Sequence, residues 1–169
     1  MKFENLRVDE LDNNPDTVLN FKSLRSNGKY RFFYLLLQHD YLVLASKGIF
    51  PSINGKPERV TGGTDIEIPK SGLQWFINAI EQKFMRTEAE GGLKREELTF
   101  SEVIDGEKLV TSRWFGTSGY ALANASRNLH SNFGGEGQQE FCFTDKMLFD
   151  EGLLDNLKVI AEKIDRGEL

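Results

Sequence analysis

Apolar and polar positions alternate along the chain in short runs broken by turn formers, and the runs come in two rounds of the same order. In the first round Thr17 to Ser26 and Lys29 to Leu37 flank Asn27-Gly28. That dipeptide suits a two-residue type I′ turn, because both of its residues take positive φ. After a second reversal at Gln38-His39, Tyr41, Val43 and Ala45 alternate with Leu42, Leu44 and Ser46 over a third strand, Asp40 to Lys47. A stretch with Pro51, Asn54-Gly55, Pro57 and Gly62-Gly63 is dense in breakers and is expected to be irregular throughout, its paired glycines serving loop flexibility. A short fourth strand, Asp65 to Ile68, follows. Pro69 then suits a helix start, where its missing N–H costs nothing, and Leu73, Phe76, Ile77, Ile80 and Phe84 follow at helical spacing.

The second round repeats the order. Asp105-Gly106 separates Leu98 to Ile104 from Glu107 to Phe115, and Gly116 to Gly119 turns the chain into Tyr120 to Arg127. A loop carrying Gly134-Gly135 leads to Gln139 to Phe143, and a last helix shows Leu153, Leu154, Leu157, Ile160, Ala161 and Ile164 on one face. Individual residues recur as well: Leu44-Ala45-Ser46-Lys47 returns as Asn124-Ala125-Ser126-Arg127, and Gly72-Leu73 returns 80 positions later as Gly152-Leu153. A period that long does not suit a solenoid and points to a duplicated unit whose halves pack together.

The expected fold class is therefore α+β, two ββββα repeats of antiparallel strands backed by helices. The divisions are a polar N-terminal leader at 1–16, a first repeat at 17–86, an acidic glycine-containing linker at 87–97 and a second repeat at 98–169, the repeats forming one intertwined globular domain. The halves either close on each other or exchange with a second chain in a homodimer, and the sequence leaves both open.

With Asn27-Gly28 as the loop, Leu24 faces Arg31, Lys22 faces Phe33 and Asn20 faces Leu35. One face then carries Lys22, Lys29, Arg31 and Phe33. The other carries Leu19, Phe21, Tyr30, Phe32, Tyr34 and Leu36 and is expected to pack on a helix. A face that mixes cations with a ring suits a single-stranded nucleic acid, since cations track phosphates and rings stack on any base. The same charges would equally serve a solvated face. The second round offers Lys108, Arg113, Trp114, Phe115, Tyr120 and Arg127. Trp114 and Phe115 are adjacent and must point to opposite faces, while Ala121, Ala123 and Ala125 line one face as if for close packing.

Composition narrows the chemistry. Hydrophobic content of 39% with 28% charged residues is globular, and the one cysteine, Cys142, lies in Phe141-Cys142-Phe143 as a small buried hydrophobe without a disulfide partner. The N-terminus has no apolar leader and no run reaches the roughly 18 apolar residues of a membrane span, so the expectation is a soluble, cytoplasmic protein with no membrane contact. A net charge of −5 argues against a broad electrostatic footprint for nucleic acid and leaves room only for a local basic face. His39 and His130 lack metal-ligand spacing, Ser126 has no nucleophile-elbow context, and no Walker lysine follows the glycine pairs. No pair among the 26 carboxylates is singled out by an apolar setting. No enzyme, catalytic residue, metal or cofactor is expected.

The twofold order of four strands and a helix, with Arg31-Phe32-Phe33-Tyr34-Leu35, Tyr41-Leu42-Val43-Leu44-Ala45-Ser46, Ile66-Glu67-Ile68-Pro69 and Gly72-Leu73-Gln74-Trp75-Phe76, resembles the PUR repeat of the Pur-alpha and Whirly group of single-stranded nucleic-acid-binding proteins. The resemblance implies curved antiparallel sheets backed by helices, with nucleic acid on the sheet faces. Position by position it implicates Lys22, Lys29, Arg31 and Phe33 in the first repeat and Lys108, Arg113 and Trp114 in the second. The expected function is non-catalytic binding of single-stranded DNA or RNA. The alternative is an acidic protein-interaction or scaffold domain of the same fold that binds no nucleic acid.

Overall fold

A computed structural model describes residues 3–24, 30–52, 54–114, 116, 118–130 and 137–169. The fold is α+β, with two four-stranded antiparallel meanders, each followed by a helix. The first sheet runs β1 (Thr17–Leu24), β2 (Tyr30–Gln38), β3 (Tyr41–Phe50) and β4 (Arg59–Pro69), and leads into α1 (Ser71–Asn78), which widens into a π-turn over Ala79–Phe84. The second runs β5 (Thr99–Ile104), β6 (Glu107–Trp114), β7 (Gly119–Asn128) and β8 (Gln138–Thr144), and leads through a π-turn at Lys146–Asp150 into α2 (Leu153–Asp165). The duplicated order expected from the sequence is thus present in both halves.

The two hairpin turns behave differently. At Asp105-Gly106 both residues take positive φ, 47° and 84°, and Ile104 pairs with Glu107 as a two-residue type I′ turn requires. In the first hairpin Asn27-Gly28 lies outside the described residues, and the register around it corrects the expectation. Leu24 pairs with Tyr30, Lys22 with Phe32 and Phe21 with Phe33, one position away from the pairing a two-residue loop would impose. Because the side-chain period of a strand is two, Lys22 lies on the opposite face from Arg31 and Phe33. Burial decides the register: Phe21, Phe33 and Leu35 fill the interior, with the Phe21 and Phe33 rings 6.4 Å apart.

The stretch expected to be irregular throughout ends in strand. β3 continues to Phe50 and β4 begins at Arg59, so Gly62 and Gly63 sit inside a ladder opposite Lys47 and Ser46. Their φ angles are 150° and 142°, and a Cβ on Gly62 would stand 1.9 Å from the Ser46 carbonyl oxygen. The glycines serve close backbone approach, a reason breaker counting cannot separate from a loop. Pro69 likewise closes β4 opposite Tyr41, and the helix begins two residues later.

One core joins the halves. α1 packs on the second sheet: Gly72 approaches Leu109, the Phe76 and Phe143 rings are 5.0 Å apart, and Trp75 stacks on Phe100 at 5.8 Å. Phe33 of the first sheet meets Phe141 of the second at 5.4 Å, and Leu153, Leu157 and Ile160 of α2 enter the same cluster.

The second repeat also blunts both edges of the first sheet, which would otherwise present unpaired peptide groups. At β1, Lys146 donates to the Leu24 carbonyl at 2.9 Å and the Leu24 N–H donates to Glu151 at 3.3 Å. At β4, the Asn124 amide donates to the Glu67 carbonyl at 2.7 Å and the Glu67 N–H donates to Gln139 at 2.9 Å.

The outer face of the first sheet is covered by N-terminal residues from the stretch read as a polar leader. Leu11 is fully buried among Tyr34, Leu36, Val43 and Ala45. The Leu6 N–H donates to Thr64 Oγ1 at 3.0 Å, and Asn5 accepts from the Thr64 N–H at 2.9 Å. The expectation that the aromatic face packs on a long helix is corrected: Tyr34 and Leu36 lie under a strap of the chain that holds one 3-10 turn, Val8–Glu10, while Phe21 and Leu19 face the core.

Candidate nucleic-acid interface

Beside the strap, the far ends of the long hairpins carry a set of rings and cations in which Lys22 and Tyr30 are exposed, Phe32 is partly buried and Lys47 is mostly covered. β-strand alternation and the observed register align Lys22, Phe32, Lys47 and Gly62 in one row across four strands of the outer face. The next row contains Leu24, Tyr30 and Val60, all exposed large apolar side chains. Lys22 Nζ stands 3.7 Å from the Tyr30 ring centroid and 5.6 Å from that of Phe32, and Lys47 Nζ stands 5.4 Å from Phe32 on its other side. Cation and ring therefore interleave within about 6 Å, an attraction worth about 0.5–1 kcal/mol at an exposed site. Tyr30, 44% exposed, keeps much of its surface open.

The residues singled out from sequence divide between this face and the interior. Lys22 is exposed on it, and Lys29 lies outside the described residues. Arg31 and Phe33 share the opposite face: the Arg31 Nη2 donates to Ser46 Oγ at 2.8 Å and lies 3.8 Å from Asp65, and Phe33 is a core ring. In the second repeat Lys108 and Trp114 share the outer face of β6 but stand six residues apart, roughly 20 Å along the strand. Arg113 points to the other face. It grips Asp145 with two hydrogen bonds at 2.6 and 2.7 Å, and its guanidinium lies 4.6 Å from the Tyr120 ring. Ala121 and Ala123 are buried in this sheet, and Ala125 is exposed. Among the described residues the first sheet thus gathers a cation–ring row on its outer face, and the second does not.

Tyr30, Phe32 and Lys47 were assigned to no binding face from sequence. Their signal was present in the strand patterning, and the one-residue register error hid it.

A second constellation lies at the seam between β4 and β7. Glu67, with a side chain 2% exposed, holds Arg127 Nη1 on one oxygen at 2.8 Å and His130 Nε2 on the other. Arg127 also binds Glu107, through Nε at 2.8 Å and Nη2 at 2.5 Å, and its guanidinium lies 5.2 Å from the Phe3 ring and 4.7 Å from the Tyr41 ring, which themselves pack edge to face at 5.1 Å. Tyr41 donates to Glu107 at 2.7 Å, and the Asn124 amide reaches the same carboxylate. Burial alone would raise Glu107, but the hydrogen bonds from Arg127, Asn124 and Tyr41 outweigh it and hold the carboxyl down to about 2. Arg127 is raised in turn, chiefly by its hydrogen bond to Glu107.

These groups border an open basin of about 520 Å³. Their oxygens and guanidinium nitrogens are spent on one another, which suits joining two sheets better than transferring protons. Sequence reasoning missed this pairing of carboxylates, because its members lie up to 63 positions apart.

Cys142 is half-buried, and burial, reinforced by Glu140, pushes its thiol up to about 12. Among the described residues no helix is long and apolar enough to cross a membrane, and no group of three or more acidic, histidine or cysteine side chains is arranged to hold a metal ion. The chain matches no protein-family model and no curated protein.

Proposed function

We propose that the protein binds single-stranded nucleic acid on the outer face of its first sheet, in the manner implied by its resemblance to the PUR and Whirly group. The observation that carries this reading is the row Lys22, Phe32, Lys47 with Tyr30 beside it. Phe32, partly buried, stands between two lysines, and Tyr30 lies exposed beside Lys22, a mix of ring and cation that suits stacking bases and neutralising phosphates without reading sequence. The four-plus-four antiparallel strands, each set followed by a helix, are compatible with that group's architecture. An overall charge of −5 makes the binding local and strongly salt-dependent, because the rest of the surface repels the strand.

Fluorescence anisotropy with a labelled oligothymidylate tests the reading. Saturable binding is expected at about 50 mM salt and should weaken steeply by about 200 mM. Lys22→Glu should abolish it. Absence of saturation at low micromolar protein in low salt rejects the reading and leaves the protein-interaction alternative.

A further inference from the structure

We propose that the N-terminal strap, Phe3 to Asp12, is a built-in competitor of nucleic acid that occupies the phosphate position at Lys47 and must lift for the full sheet face to be used. The inference rests on the binding reading above and adds the regulation of that same face.

Three independent features of the strap converge. Its charge is that of a nucleic-acid mimic: Glu4, Asp9, Glu10 and Asp12 stand against Arg7 alone. Its acidic end is placed on the binding row. The Asp12 carboxylate accepts from Tyr34 Oη and Lys47 Nζ, both at 2.5 Å, so it neutralises the lysine that flanks Phe32. Its attachment is partly built and partly shallow. Leu11 is a buried anchor, whereas the exposed Asn5 and the Leu6 N–H hold β4 through single hydrogen bonds at Thr64. The sheet is shaped to receive it, since a Cβ on Gly63 would stand 2.8 Å from Asn5 Oδ1.

A phosphate arriving at Lys47 meets the position Asp12 holds. Asp12 holds the Lys47 ammonium with both carboxylate oxygens and leaves that side chain 11% exposed, so a phosphate there meets a covered cation and a like charge, and binding along the whole row requires Asp12 to leave. When it does, Tyr34 loses its partner and joins Phe32 and Tyr30 as a third ring on the same face, because Tyr34 follows Phe32 at the strand period. The row available to a strand then lengthens from the exposed tip toward the centre of the sheet.

Two measurements on the full chain test this. In the first, amide hydrogen exchange is followed with and without saturating oligothymidylate. The Leu6 N–H, protected by Thr64, should exchange at least tenfold faster in the complex. In the second, Asp12→Asn is compared with Glu96→Gln, which removes the same charge from an exposed site outside the strap. Asp12→Asn should tighten binding roughly threefold to tenfold at low salt and steepen the salt slope by about 0.7, one added phosphate contact on a single strand, with Glu96→Gln unchanged. Unchanged Leu6 protection at saturation, or equal affinities for the two variants, overturns the strap inference and leaves the binding reading standing. Failure of the wild-type chain to saturate overturns both.

Discussion

Asn124 stands in the second repeat where Leu44 stands in the first, and its amide donates to the Glu67 main-chain carbonyl at 2.7 Å. The substitution marks where the repeats stop being equivalent. Leu44 packs in the core of its own sheet, whereas Asn124 is fully buried against the edge of the other sheet, where a peptide carbonyl needs a donor. With Gln139 it does the work of a fifth strand over one residue.

Asn124→Leu would restore the repeat and is expected to destabilise the protein. It strands the Glu67 carbonyl and removes a donor from Glu107, a loss of about 1–3 kcal/mol for each buried group left unpaired. Urea unfolding should show a lower midpoint with an unchanged slope.

The seam should also set the acid limb of stability. Glu107 is held at about 2 in the folded protein, below its unfolded value of about 4.3. A carboxyl depressed by folding stabilises above its unfolded pKa, and that contribution is lost as pH falls from about 5 to about 2. It is on the order of 3 kcal/mol. Asp65 works in the opposite sense: burial raises its carboxyl, and its Oδ2 has no hydrogen-bond partner among the described residues. Glu107→Gln should therefore flatten the acid limb in urea midpoints measured from pH 7 to pH 2, and Asp65→Asn should raise stability at pH 7.

Phe32 and Phe33 are neighbours on one strand with opposite faces and opposite expected phenotypes. Phe33→Ala empties a core position and should cost about 3–5 kcal/mol in unfolding free energy. Phe32→Ala should cost much less stability and reduce affinity for a single strand by about 1–3 kcal/mol, one stacked base. Thermal unfolding read beside anisotropy separates the two, and the reverse assignment would return the binding face to the one carrying Arg31.

Gly62→Ala should be poorly tolerated although it lies in a stretch that reads as a loop. A Cβ there meets the Ser46 carbonyl oxygen at 1.9 Å, and the backbone φ of 150° already disfavours a side chain. Gly55, with open space around its Cβ position and a φ of 76°, carries only the conformational penalty of about 1 kcal/mol. Comparing the melting temperatures of the two variants checks whether β3 and β4 pair through the glycines.

The sequence by itself determined the element order, the duplication and the type I′ turn at Asp105-Gly106, because periodicity, turn chemistry and a helical apolar face are local signals. It also supplied the raw materials of the binding row, Lys22 beside a run of aromatic residues. Tertiary structure decided the faces. A one-residue change in register moves every side chain across the sheet, and the choice between Phe32 and Phe33 as the core ring depends on what Phe141 and α2 offer from the other half. Tertiary structure also decided that Gly62 and Gly63 belong to a strand, that residues 3–12 are a strap, and that Glu67, Glu107, Arg127 and His130 form one network. Each depends on contacts between distant segments, whose geometry exists only once the two sheets have closed on a common core.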